Sequence, residues 1–80
     1  MAVDRKLLDK ARRTPHALRF DEAVRLSRQL GFEKVRHVRG HRILRHPVLA
    51  CFSLQEGPNG QAKAWQVRRL LEAARELRHA

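Results

Sequence analysis

The chain has one cysteine, Cys51, one tryptophan, three phenylalanines and no tyrosine in 80 residues. A single cysteine excludes an internal disulfide and the cysteine-rich zinc folds, and it fits a reducing compartment. So few aromatic rings argue against an extended stacking platform for unpaired bases. No apolar run approaches the roughly 20 residues that cross a bilayer. The opening Met-Ala-Val-Asp-Arg-Lys does not lead into an apolar signal core, so a cytoplasmic protein with no membrane partner is expected. Acidic residues are also scarce: eight Asp and Glu face eighteen Lys and Arg, a net charge of +10. That imbalance points to a polyanion, with nucleic acid ahead of an acidic protein and an anionic membrane. At this length the chain makes one small domain with a limited core.

The charge is concentrated between Lys34 and His46. Lys34, Arg36, Arg39, Arg42 and Arg45 stand there with His37, His41 and His46 and no acidic residue. A surface of this kind holds a phosphate backbone by counterion release. A histidine inside it can act on what is held, because its charge changes near neutral pH.

Along the chain, Val3 to Arg13 reads as a short amphipathic helix with Val3, Leu7, Leu8 and Ala11 on its apolar stripe, ended by Thr14-Pro15. His16 to Arg19 is a connector. Phe20-Asp21 opens a second helix, with Asp21 as N-cap and Phe20 packing back. Ala23, Leu26, Ser27 and Leu30 share one face, and Gly31 supplies the stop. Phe32 to Arg39 and His41 to His46 read as a hairpin around Gly40, although Val35 lies three positions from both Phe32 and Val38 and breaks the two-residue period. Val48 to Gln55 reads as a third strand and Glu56 to Gly60 as a turn. Lys63 to Arg78 is the strongest helix, with Val67, Leu70, Leu71, Ala74 and Leu77 as its stripe and an Arg68–Glu72 pair four residues apart. The predicted fold class is α+β: a small three-stranded antiparallel sheet with helices packed on one face, α-β-β-β-α plus an N-terminal helix. Residues 1–19 form the N-terminal helix and connector, and residues 20–80 the domain proper.

Gly31-Phe32, Arg39-Gly40-His41-Arg42-Ile43 and His46-Pro47 occur in that order and spacing. In this the chain resembles the HicA toxins, small bacterial ribonucleases with a double-stranded-RNA-binding-like fold. Thr14-Pro15, Arg19-Phe20 and the Gln61 to Val67 stretch are similar to a longer branch of that family, so the likeness spans roughly Thr14 to Leu77. It implies an mRNA-cleaving enzyme that works without a metal and is held inactive by a HicB-like antitoxin. It also carries the catalytic role onto His41. Two positions depart from the pattern: Arg39 stands where a glycine is usual, and Leu44 where an aromatic is common.

The residues themselves are compatible with that chemistry. RNA cleavage through the neighbouring 2′-OH needs a group that exchanges a proton near pH 7 and cations for the charge growing on phosphorus. His41 fits the first need. Arg39, Arg42 and Lys34 are candidates for the second, with Arg36, Arg45 and Lys63 extending the RNA-binding track. The plainer alternative makes His41 a turn residue on a solvated basic face. His46, just before Pro47, reads as structural rather than as a second proton carrier. His37 and His41 share a face only on a helix, so a zinc pair is not expected, and neither a metal nor a cofactor is called for. Gly57-Pro58-Asn59-Gly60 matches the GXXG of KH domains literally but follows a strand, and reads as a turn. Cys51 is expected to be a small buried side chain, and Trp65 to be core.

Overall fold

The computed structural model describes residues 3–77, so the predicted helix residue Arg78 lies outside the described residues. The first helix, α1, is Arg5–Arg13. The Asp4 carboxylate caps it, accepting from the backbone N–H groups of Lys6 and Leu7 at 3.0 and 3.2 Å. The Asp4 N–H itself donates to Gln29 Oε1 at 2.8 Å, tying the start of α1 to the end of the next helix. Leu7, Leu8 and Ala11 are buried and join the same core as the rest of the chain. After Thr14, Pro15–Ala17 make a single 3-10 turn.

Helix α2 is Phe20–Gln29, two residues earlier than an Asp21 cap predicts. Arg19, not Asp21, occupies the cap position. The side chain that caps it is Glu22, whose carboxylate accepts from the Arg19 N–H at 3.0 Å and from Lys10 Nζ at 2.9 Å. Asp21 instead sits in the first turn, where its charge suits the helix dipole. Ala23, Leu26, Ser27 and Leu30 are all buried, as expected. Gly31 ends the helix at φ +99°, a conformation open to glycine.

The sheet is β1 (Glu33–Val38), β2 (His41–Arg45) and β3 (Phe52–Gln55), antiparallel in that order. The α+β class is thus as predicted, with the helices packed against the sheet through Leu44 and Leu54, which are buried. Phe32 meets Phe52 edge-on, ring centroids 5.4 Å apart. The third strand is half the predicted length, because the N–H groups of Val48 and Leu49 bond to the His46 ring and leave the sheet register. Cys51 therefore falls outside the strand and is exposed rather than buried.

The last helix, α3, is Ala64–Glu76, after a 3-10 turn at Pro58–Gly60 where the GXXG match lies. Its buried face is Gln66, Val67, Leu70, Ala73 and Ala74, with Leu71 and Leu77 only partly covered. That rotation turns Trp65 outward, and it is 58% exposed instead of core. Gln66 is a polar residue inside, and its burial is offset by a hydrogen bond: its Oε1 accepts from the Gln55 N–H at 2.9 Å. No ion pair forms between Arg68 and Glu72 among the described residues. None of the described helices is long and apolar enough to cross a membrane.

Burial would raise the Glu22 carboxyl, but the hydrogen bonds from Lys10 and the Arg19 backbone, with the charges of Lys10 and Arg25, hold it below its ordinary value. A depressed carboxyl stabilises the fold above its unfolded-state pKa and loses that contribution as pH falls through the folded one. Glu22→Gln should therefore lower the unfolding free energy by about 1 kcal/mol at pH 7. In urea titrations its deficit against wild type should shrink as pH drops below the carboxylate range. A constant deficit down to low pH would exclude the ionised pair as its source.

Candidate nucleic-acid interface

The β1–β2 hairpin turns through Arg39 and Gly40, at φ +49° and +80°. Two successive positive φ values are those of a type I′ turn, whose twist matches the strands it joins. Arg39 thus adopts, as a non-glycine, the backbone that a glycine there would adopt more easily, and its side chain stands exposed at the tip.

The broken two-residue period is a β-bulge. The register runs Lys34 opposite Leu44 and Arg36 opposite Ile43, so Val35 is the extra residue. The bulge sends Lys34 and Arg36 to opposite faces, although they are two residues apart. The helix side of the sheet takes Lys34, His37, Arg42 and Leu44, with Phe52 and Leu54 on β3. The open side takes Glu33, Arg36, Val38, His41, Ile43 and Arg45, with Ser53 and Gln55. All six residues of β1 are exposed, so this strand overhangs the helical layer.

His41 lies on the open face, half-buried, with no hydrogen bond or ion pair to its ring among the described residues. Opposite it across the strands are Val38 and Gln55. The Gln55 Oε1 accepts from Lys63 Nζ at 2.6 Å. Since directly opposed side chains have Cβ atoms about 4.5–5.5 Å apart, this bond brings an ammonium group to the neighbourhood of His41. Gln55, which nothing in the sequence singles out, is the connecting residue; only the strand register reveals it. Arg36 and Arg45 continue the basic track on the same face, Arg45 with Glu33 3.9 Å away in a loose, exposed pair.

Two predicted cations lie elsewhere. Arg42 extends over the Phe20 ring, its guanidinium carbon 5.4 Å from the centroid, and its Nε is buried with no partner among the described residues. Lys34 lines the opposite side of the hairpin together with Arg28 of α2. The register therefore puts His41, Arg36 and Arg45 on one face, with Lys63 joined to it through Gln55, and puts Lys34 and Arg42 on the other. His37, opposite Arg42, faces away from His41 and does not form a metal pair with it.

His46 is engaged at both nitrogens. Nδ1 accepts from the N–H groups of Val48 and Leu49 at 3.0 and 3.2 Å, so the ring proton is on Nε2, which donates to the Leu30 carbonyl at 2.9 Å. The ring also leans on Phe32, with centroids 4.8 Å apart. This is a structural histidine.

These features define a small α+β domain whose sheet presents an open, basic face bearing one unengaged imidazole. No family model, curated protein or solved structure matches the chain.

A Cβ on Gly31 would meet His46 Nε2 at 2.9 Å, in a backbone conformation that L residues rarely adopt. Gly31→Ala should cost about 1–3 kcal/mol of stability, and His46→Ala a similar amount through its unsatisfied backbone groups. In a double-mutant cycle by urea denaturation, Gly31→Ala should cost less in the His46→Ala background, because the clash is gone and the φ strain remains. Strict additivity would show that the imidazole does not lock the helix exit.

Proposed function

We propose that the open sheet face binds RNA and that His41 exchanges a proton with it, making the chain a metal-independent endoribonuclease. On this reading it is a HicA-like mRNA interferase, acting in the cytoplasm and covered by a HicB-like antitoxin. The observation that carries the proposal is the His41 imidazole, reachable and unengaged on the face that gathers Arg36, Arg45 and Lys63. A ring in the apolar interior or tied up like His46 has no such role open to it.

The chemistry uses the RNA's own nucleophile. His41 takes the proton of a 2′-OH, and the oxygen attacks the adjacent phosphorus. The bond to the 5′-oxygen breaks, leaving a 2′,3′-cyclic phosphate and a 5′-hydroxyl that takes its proton from water or the imidazolium. Cations near the non-bridging oxygens offset the growing charge. Lys63, held through Gln55, and Arg36 have that position in this scheme. An acidic cover would match the +10 charge of the chain.

One observation favours a second reading, an RNA-binding module without cleavage: nothing orients the His41 ring, whereas catalytic imidazoles are ordinarily held by a partner. RNA cleavage and binding by wild type and His41→Ala, in EDTA across a salt series, separate the two. The expected result is a cleavage loss of at least about 10²-fold with binding roughly unchanged and falling with salt. Binding without cleavage in either protein leaves the silent module. Absence of RNA affinity at low salt overturns both in favour of an acidic protein partner.

A further inference from the structure

Trp65 is the chain's one tryptophan, and 58% of it is exposed. The other aromatic side chains are committed to the interior: Phe20 and Phe32 are buried, and Phe52 packs against Phe32. Trp65 has no such contact. Among the described residues, neither a ring nor a hydrogen-bond acceptor engages its indole. More than half of the largest apolar side chain is thus left in water, where it gives up the stabilisation that burial would supply.

Its position is specific. Trp65, Arg69, Glu72 and Glu76 are spaced i, i+4, i+7 and i+11, one stripe of α3. Three of these line a cavity of about 160 Å³ beside Phe52, so the stripe looks toward the free edge of β3. At the Trp65 end, the next residue, Gln66, bonds the backbone of Gln55, and Lys63 bonds its side chain. Gln55 is the residue opposite His41. Trp65 thus lies two residues beyond Lys63, the last member of the series His41–Gln55–Lys63, with Arg68 and Arg69 following on the same helix. An exposed, flat aromatic surface with Lys63, Arg68 and Arg69 close to it in sequence matches a nucleobase on a phosphate backbone.

We infer that Trp65 is a stacking platform for one unpaired base of the RNA held at His41 and Lys63, so that the substrate is single-stranded at the site of action. The inference rests on the RNA-binding reading of the open face and adds the substrate class. A base in a duplex has both faces covered by its neighbours, whereas RNA recognition by stacking uses splayed, unpaired bases.

Tryptophan emission reports this residue alone. The full chain is titrated with a short 2′-O-methylated RNA, which has no 2′-OH to attack, as a single strand and as a duplex. The single strand should change the emission and bind wild type about 5–150-fold more tightly than Trp65→Ala, with Trp65→Phe recovering most of the loss. Duplex affinity should be the same in all three proteins. Matching thermal melts by circular dichroism establish that Trp65→Ala is folded. If the single strand binds with no emission change and Trp65→Ala binds equally well, the stacking role is wrong while RNA binding stands. If no RNA binds at low salt, both fall. An emission change with polyglutamate and none with RNA assigns the indole to an acidic protein.

Discussion

The His46 imidazole joins three parts of the chain that would otherwise end independently. Through Nε2 it holds the Leu30 carbonyl at the exit of α2, and through Nδ1 it gathers the N–H groups of Val48 and Leu49 after β2. Backbone N–H and C=O groups need hydrogen-bond partners, and here one side chain serves both a helix end and a loop. The consequence reaches the sheet: with those N–H groups taken, β3 begins only at Phe52, and its edge stays short. Gly31 is required for the ring to fit, since any Cβ there would meet Nε2. The Gly31-Phe32 and His46-Pro47 pairs, far apart in sequence, are two halves of one joint.

From that joint the hairpin projects. All six residues of its β1 strand are exposed. An exposed edge strand invites pairing with other chains, and this one carries two deterrents, a bulge at Val35 and a row of charged side chains. The same bulge divides the basic side chains, because it turns Arg36 to the face of His41 and leaves Lys34 on the other. A single inserted residue thus both guards the edge and separates the cations into two groups.

The sequence made the helices legible because their signals are local: Thr14-Pro15 after α1, a glycine after α2 and a 3.6-residue apolar stripe. It misplaced the cap of α2, since Glu22 capping from the third position and Asp21 capping directly leave the same trace. The sheet order was legible from its brackets, but its faces were not. The interrupted alternation at Val35 was visible, yet only pairing with β2 shows that it is a bulge. Cys51 and Trp65 were misassigned for one reason. Residue type gave the expectation of burial, while the ends of β3 and the rotation of α3 were set by tertiary hydrogen bonds from His46 and Gln66. Of the candidate site, His41 was singled out in advance. Of the cations named to act beside it, Lys34 and Arg42 lie on the other face, while Arg36 and, through Gln55, Lys63 lie on its own. The connection through Gln55 could not be read from the sequence, because it depends on which residues lie opposite one another across two strands.

The contrast between the two hairpin histidines bears on how such a small domain divides its material. His46 is fully engaged, and the fold would be weaker without it; His41 makes no hydrogen bond or ion pair among the described residues. Arg39 in a left-handed turn, the unpartnered Nε of Arg42 and the exposed ring of Trp65 are likewise features that cost stability without a visible structural return. Sequences depart from local consistency mainly where a site is being built. These departures cluster along the hairpin and the adjoining end of α3, whereas the core of α1, α2 and the rest of α3 follows ordinary packing. A polyanion bound along this region would offset the mutual repulsion of the basic groups, and because it would bind only the folded chain it would stabilise the fold as well.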